Sequence, residues 1–336
     1  MTSGSPGRLI ILFAIPLMLG NICQQLYTMV DTMVVGQIAG VEALAALGAV
    51  DFLMWVVTGI STGLTQGFSI QLSQYYGAKD FENLRKSLAH SYRLTAFIAV
   101  GVFILSQSFA SLILTGLHTP SNIIGMSLLY LRIIFCGIPA TAAYNMFASA
   151  LRAMGNSKTP LTAMIIASVL NVSLDILFVA GFGWGVAGAA IATVIAQSFS
   201  AVYCFLILRR IDIVHLTKTD FMPASGMNAR LMKLGIPVVF QNIIIGVGGL
   251  VVQYVINGYG FLFVAGFTAT NKLYGLLEMA AISYGYAIVT YVGQNLGAGK
   301  IDRIKKGVRS SMLLSLLTSL IISAAMFLFG KNILSL

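Results

Sequence analysis

Residues Leu9 to Gly36 read LIILFAIPLMLGNICQQLYTMVDTMVVG, an apolar run whose only charge is Asp31. A helix that crosses a bilayer needs about 20 mostly apolar residues, so this stretch is long enough to span with a tilt. It is too long for the apolar core of a signal peptide and no small-residue cleavage site follows it, so it reads as a retained first span. The pattern recurs along the chain. Apolar segments at 9–36, 46–74, 91–116, 124–152, 158–181, 186–208, 231–258, 265–296 and 308–330 predict an all-α polytopic membrane protein with about nine transmembrane helices.

Composition agrees with that reading. Of the 336 residues, 58% are hydrophobic and 9% charged, against about 25% charged in an average soluble domain. The mean hydropathy is +0.90. So few charges cannot cover a water-facing exterior, whereas a bundle solvated by lipid stays apolar outside as well as inside. The net charge of +10 would suggest nucleic acid if the basic residues formed one patch. They are instead spread over short segments between apolar runs: Lys79, Arg85, Lys86 and Arg93; Arg152 and Lys158; Arg209, Arg210, Lys218, Arg230 and Lys233; and Lys300, Arg303, Lys305, Lys306 and Arg309. The alternate loops, Gly40 to Glu42, His118 to Asn122, Gly181 to Gly185 and Gly258 to Gly260, carry no Lys or Arg. This is the positive-inside pattern, and it predicts a multi-pass protein of the cell membrane with a cytoplasmic N-terminus. Nucleic acid is not an expected partner. Cys23, Cys136 and Cys204 lie inside apolar runs without metal-ligand spacing, so they read as small core residues and no metal site is expected.

The chain also repeats itself at an offset of 220 to 221 residues. Pro16 matches Pro237 and Asn21 matches Asn242; after one indel, Gly40 matches Gly260, Gly77 matches Gly297, and Lys86 matches Lys306. An even number of spans lies between the copies, so both have the same orientation, as in transporters built from parallel repeats. The expected domains are a six-helix N-lobe at 1–210, a cytoplasmic linker at 211–230 and a partial C-lobe at 231–336. A central cavity would lie between the lobes.

Four acids fall within the predicted spans: Asp31, Asp51, Asp175 and Glu278. An intramembrane acid is costly, about 2.5–3.5 kcal/mol even on a lenient scale, and marks ion or substrate paths. Gln24, Thr28 and Asp31 are spaced to share one helix face, and Pro16 upstream should kink the helix and act as a hinge. The bland alternative is an Asp satisfied by neighbouring helices. Asn171 and Asp175, one turn apart, point the same way and can share a cation or proton, or hold helix one to helix five through hydrogen bonds. Asp51 opens helix two, where a carboxylate caps free N–H groups. Glu278, with Asn271 and Tyr274 at i−7 and i−4 and Lys272 nearby, forms a second polar stripe with functional and structural readings both open. Arg132 reads as a side chain that reaches the interface. Helix two carries Ser61, Thr62, Thr65, Gln66, Ser69 and Gln71 beside Gly59, Gly63 and Gly67; this pattern suits either a water-lined face or close helix packing.

Two motif matches fail on context. Gly59-Ile-Ser-Thr-Gly63 resembles a serine-hydrolase elbow but sits inside a span, with His90, His118 and His215 expected in loops or at interfaces. Gly183-Trp-Gly-Val-Ala-Gly188 matches a dinucleotide fingerprint, yet no soluble strand-turn-helix unit surrounds it and no acid follows about twenty residues on; a tight outer turn into helix six explains it. No nucleophile and base pair occurs within the spans, so the chain does not read as an enzyme.

Gln24-Gln-Leu-Tyr-Thr-Met-Val-Asp31-Thr-Met-Val-Val-Gly36, Ala150-Leu-Arg-Ala-Met-Gly-Asn-Ser-Lys-Thr-Pro160, Leu170-Asn-Val-Ser-Leu-Asp175, Gly185-Val-Ala-Gly-Ala-Ala-Ile-Ala-Thr193 and Gly293-Gln-Asn-Leu-Gly-Ala298 together resemble the multidrug and toxic compound extrusion (MATE) family of antiporters, of prokaryotic type. The resemblance covers nearly the whole chain. It implies alternating access between two lobes and export of a small cationic or amphipathic organic compound. Inward flow of H⁺ or Na⁺ would drive it, with membrane lipid around the bundle and no cofactor beyond that coupling ion. By motif position, Asp31, Asn171, Asp175 and Thr193 resemble the cation or proton site. Gln24, Tyr130 and Asn145 resemble cavity-lining residues, with Glu278 a further cavity candidate and Pro16 at the bend of the first helix. No carboxylate lies early in helix seven near Ile245, so the resemblance is to the subgroup that relies on the N-lobe aspartates. The family has two complete six-helix lobes, so the resemblance also implies that three helices of the second lobe are missing. The alternative within the superfamily, a lipid-linked oligosaccharide flippase, calls for a cationic cavity, for which only Arg132 and Lys272 are candidates.

Overall fold

The structure, a computed structural model, describes residues 1–116, 119–257 and 261–334, with the side chains at 52, 250, 253–254, 256–257, 261–274, 276–277, 325–326 and 329–334 outside that description. Helices dominate it: α1 (Pro6–Ile38), α2 (Val41–Gly48), α3 (Asp51–Ala78), α4 (Phe81–Gly116), α5 (Ile124–Cys136), α6 (Ile138–Ala153), α7 (Lys158–Asp175), α8 (Gly185–Arg209), α9 (Met227–Asn257), α10 (Phe261–Gly297) and α11 (Ile301–Leu334). A π-helical segment, Ile176–Gly181, continues α7. Helices suit this composition because each backbone N–H finds its acceptor within the same segment, which lipid cannot provide.

Each segment expected from the sequence falls on one of these helices, but two are broken. The span expected at 46–74 is α2 followed by α3, and that at 124–152 is α5 and α6, bent by 46°. Gly137 and Pro139 account for the second bend. Pro139 lacks an N–H and crowds the carbonyl four residues back, while a Cβ on Gly137 would come within 2.7 Å of Val194. Among the described residues, six helices are long and apolar enough to cross a membrane, or eight if each bent pair is one span. That is fewer than the nine expected; the span placed at 265–296 begins among residues whose side chains lie outside the description. Helix α4 starts well before the expected position 91, and His90, expected in a loop or interface, is buried within it; His118 lies outside the described residues. Cys204 is buried as expected, whereas Cys136 is exposed at the end of α5 rather than in the core. The turn expected at Gly183–Gly188 is present, with Gly183 and Gly185 at φ 70° and 53° and α8 starting at Gly185.

The repeat is visible in the packing. Helix α3 lies against α9 and α10, and α1 lies against α10. In the first seam a Cβ on Gly63 would fall 2.8 Å from the Val239 nitrogen, one on Gly67 would overlap Gly235, and Asn242 donates to the Gly59 carbonyl at 3.1 Å. In the second, Asn21 donates to Ser283 at 3.1 Å, and Ala14 and Ala287 meet in one apolar cluster with Ile10, Phe13, Leu17, Tyr284 and Tyr291. Ala14 and Ala287 are the repeat equivalents of Gly235 and Gly67, and Asn21 is the equivalent of Asn242. The helix pairs α1–α10 and α9–α3 are thus the same contact made twice. Where α3 and α10 cross each other, equivalents face equivalents: a Cβ on Gly77 would overlap the Gln294 backbone, one on Gly297 the Gln74 oxygen, and one on Gly293 would sit 2.6 Å from the Ser73 Cβ. Small residues let these backbones approach closely, the second of the two readings left open for helix two.

This crossing closes the end of the bundle that carries the basic loops. There Gln294 donates to the Ala153 carbonyl at 2.8 Å and the Arg152 guanidinium lies 4.9 Å from the Tyr286 ring centre. Helix α3 ends at Lys79 in the left-handed conformation, φ 59°, and its repeat equivalent Gly299 ends α10 at φ 69°. Glycine adopts that conformation without strain; lysine does not.

The segment between α8 and α9 docks on the start of α4. Asp220 is buried, accepts from the Thr217 N–H (2.7 Å) and hydroxyl (2.8 Å), and lies 3.8 Å from Arg85. His90 faces the Asn228 side-chain oxygen at 2.7 Å and the Met222 carbonyl at 3.0 Å. Removing a buried acceptor that serves two donors costs about 1–3 kcal/mol. Asp220→Ala is therefore expected to speed amide hydrogen exchange across 211–226 while leaving α3 and α10 protected; unchanged exchange in that segment would contradict the docking.

Candidate functional site

Helix α7 packs between α1 and α8, and this brings Asp31, Asn171, Asp175 and Thr193 together. Asn171 and Asp175 are fully buried one turn apart, and Asp31 is 5% exposed. Asn171 donates through Nδ2 to the Thr193 hydroxyl at 3.4 Å. Asp31 and Asp175 are close enough to interact electrostatically, and Tyr27 and Tyr130 lie within range of both.

The distinguishing feature is what these groups lack. Asp31 Oδ1, both Asp175 oxygens and Asn171 Oδ1 are shut off from solvent and have no hydrogen-bond partner among the described residues. Buried polar atoms are nearly always paired, so four acceptors left open in one place call for an explanation. Among the described residues the ion pairs are elsewhere, at Arg85–Asp220, Lys86–Glu82 and His215–Asp212. No group of three His, Cys, Asp or Glu side chains that could hold a metal occurs among them either. Carboxylate, amide and hydroxyl oxygens without a nearby cation form a hard acceptor set, suited to a proton or a small hard cation and unsuited to a soft transition metal.

Local structure holds the acids in place. Helix α7 ends at Asp175 and passes directly into the π-helical turn Ile176–Gly181, a wider winding that is frequent at functional sites. Within it Phe178 stacks on Trp184 with ring centres 5.1 Å apart, and a Cβ on Gly188 would touch Phe178 at 3.0 Å. The turn is pinned against α8 and cannot slide freely.

Of the other expected residues, Tyr130 lies near the acids and the rest are spread more widely. Gln24 and Thr28 are exposed, and Thr28 satisfies its hydroxyl on the Gln24 carbonyl at 2.9 Å. The stripe predicted from helical spacing is therefore not uniform: its face is covered around Asp31 and open a turn or two earlier, because covering depends on which helix lies alongside. Helix α1 runs unbroken through a buried Pro16. Tyr130 is buried on α5 among Val35, Val179 and Val186. Asn145 donates to the Thr62 hydroxyl at 3.2 Å, a link between α6 and α3. Asp51 is the first residue of α3, exposed and within electrostatic range of Asp31. Arg132 is exposed, as expected of a side chain at the interface, and so is Glu278; Asn271, Lys272 and Tyr274, the partners proposed for Glu278, lie outside the described side chains. Two residues not singled out in the sequence join the site. Tyr27 is buried one turn before Asp31, and its hydroxyl accepts from Gln197 Nε2 at 3.2 Å. Gln197 lies one turn after Thr193, so helical spacing from the expected residues points to both.

The sequence profile of the MatE family matches residues 16–177 and again 237–336. The chain belongs to the MatE family. The two MatE matches begin at Pro16 and Pro237, the prolines that align the internal repeat. Among relatives, the chain is 31% identical over 303 residues to the probable multidrug resistance protein YpnP of Bacillus subtilis (strain 168), covering 90% of this chain and 68% of that one. It is 30% identical over 333 residues to YoeA of the same organism, likewise called a probable multidrug resistance protein, covering 97% and 72%. A crystal structure of MATE in complex with MaL6 superposes with a TM-score of 0.92 at 23% identity, covering 98% of this chain and 74% of that one. A MOP superfamily transporter from Pyrococcus furiosus superposes equally well, again at 23% identity. These likenesses give the MatE fold, a multi-pass helical membrane protein.

Proposed function

We propose that the chain is a cation-coupled exporter of small cationic or amphipathic organic compounds, working by alternating access between an N-lobe (1–210) and a C-lobe that begins near 231. The observation that carries this reading is the set of buried, unpartnered acceptors at Asp31, Asn171 and Asp175. Burying such groups empty is unfavourable, and occupation by H⁺ or Na⁺ relieves the cost. An organic cation competes for the same negative charge, so entry of one expels the other; a ligand shifts the equilibrium between two arrangements only by its differential affinity for them. The names of the relatives, multidrug resistance proteins, support the choice of substrate class. With the N-terminus in the cytoplasm, as the basic loops imply, the seal at Gly77 and Gly297 closes the cytoplasmic side, and this arrangement faces outward. A lipid-linked oligosaccharide flippase is not favoured, because the acceptor-rich site repels a diphosphate.

The test is efflux from vesicles containing the chain, with H⁺ and Na⁺ gradients imposed separately. Asp31→Asn is expected to reduce efflux driven by the coupling ion to the level of empty vesicles. Undiminished efflux under both gradients would sink the proposal.

A further inference from the structure

Gln197 is a half-buried amide near the acids, and no account so far uses its oxygen. It sits on α8 one turn beyond Thr193, the residue that accepts from Asn171, so the two side chains lie on the same face of the helix. Its Nε2 is committed to the Tyr27 hydroxyl at 3.2 Å, and Tyr27 is within electrostatic range of both Asp31 and Asp175. The amide is planar, so fixing the nitrogen fixes the oxygen. That oxygen, Oε1, is shut off from solvent and has no partner among the described residues. A glutamine that served only to orient Tyr27 would gain nothing from a buried, open carbonyl; leaving one costs about 1–3 kcal/mol.

A proton-only site has no need of this extra atom, because a carboxylate binds a proton by itself. A small metal cation does need it: such ions collect several oxygens, charged and neutral, to replace their water. With Gln197 Oε1 the unpartnered oxygens of the region become five: Asp31 Oδ1, Asn171 Oδ1, Asp175 Oδ1 and Oδ2, and Gln197 Oε1. The Thr193 hydroxyl, half-buried beside Asn171, keeps an acceptor lone pair as well.

We infer that Gln197 is a further oxygen ligand for a small monovalent metal cation bound with Asp31, Asn171 and Asp175. The inference rests on the site being that of the coupling ion, as proposed above, and adds that the site is built for a metal ion and not for a proton alone. Tyr27 then holds the amide in place, and Gln197 contributes selectivity without charge.

Equilibrium binding tests this without any transport step. The purified chain in detergent is titrated with Na⁺ against N-methylglucamine at constant ionic strength and pH, and the half-saturating concentration is read from the rise in thermal midpoint that accompanies ligand binding. The parent is expected to show a saturable rise and Asp175→Asn none. Gln197→Leu and the equally long Gln197→Met are expected to raise the half-saturating Na⁺ concentration by about tenfold or more, the scale on which lost metal-site contacts act. Gln197→Glu, which keeps an oxygen there, should restore it. Gln197→Leu and Gln197→Met with unchanged Na⁺ affinity would overturn the assignment while leaving the acid site intact. So would Tyr27→Phe matching the full loss while Gln197→Glu failed to restore binding, because the amide would then serve the tyrosine. A parent without any Na⁺ response overturns the metal assignment, and proton-driven efflux then decides the broader proposal separately. Asp175→Asn that kept the full Na⁺ response would instead break the reading of the acids themselves.

Discussion

Gly297→Ala is expected to destabilise this arrangement by at least about 3 kcal/mol, the upper part of the range for forcing extra atoms into a packed interior. The added methyl has nowhere to go. Its position overlaps the Gln74 backbone oxygen, and the Gln74 carbon and Ala78 nitrogen lie 2.8 and 2.9 Å away. These are backbone atoms of the last turn of α3, so no rotamer change makes room and the two helices must part. The repeat doubles the constraint, because Gly77→Ala meets the Gln294 backbone in the mirrored contact. Each variant is expected to lower the thermal midpoint. Each should also expose a cysteine placed at Ser73, now fully buried against Gly293, to a membrane-impermeant maleimide added on the side of the basic loops. An unchanged midpoint together with a protected Ser73→Cys would refute the seal.

Asp175→Asn is expected to pull stability and function in opposite directions. In the parent, both carboxyl oxygens are buried without a donor, beside Asp31 and the open Asn171 oxygen. Asparagine has nearly the same shape, carries no charge and brings two N–H donors beside the open oxygens of Asp31 and Asn171. By the cost of leaving a buried polar group unmade, the variant should gain about 1–3 kcal/mol in Na⁺-free buffer, while ion-driven efflux is lost. Sites strained for function behave this way. The gain should shrink as Na⁺ is added, because the ion stabilises the parent and finds no charge in the variant. A variant that melts below the parent and still couples efflux to an ion gradient would show that Asp175 is structural.

Much of this was legible in the residues. The apolar runs place the long helices, since lipid leaves the backbone no other way to satisfy itself, but not the breaks that divide α2 from α3 and α5 from α6. Asp31, Asn171 and Asp175 stand out because charge and amide are expensive at that depth. The repeat was readable from Pro16 and Pro237, and the helix contacts follow it residue by residue. What spacing could not supply was coverage. Gln24 and Asp31 share a helix face, yet one is exposed and the other buried, and spacing within one helix does not say which neighbour covers each turn. Asn145 was expected among the cavity-lining residues, and its hydrogen-bond partner is Thr62 on α3; a motif records sequence neighbours and not which helix comes to lie opposite.

The stretch Leu9 to Gly36 by itself determined that the chain enters a membrane as a helix with one acid inside it. Hydrophobic length and backbone satisfaction are local properties, and twenty-odd residues suffice to express them. Whether that acid would be paired, and with what, only the tertiary structure decided. Among the described residues Asp31 forms no ion pair, because α7 and α8 present it with Asp175, Asn171 and Thr193, and Gln197 joins through Tyr27. Which helices touch depends on interlocking at distant glycines such as Gly67 with Gly235 and Gly77 with Gln294. Those contacts are sums over the whole bundle, and no single segment contains them.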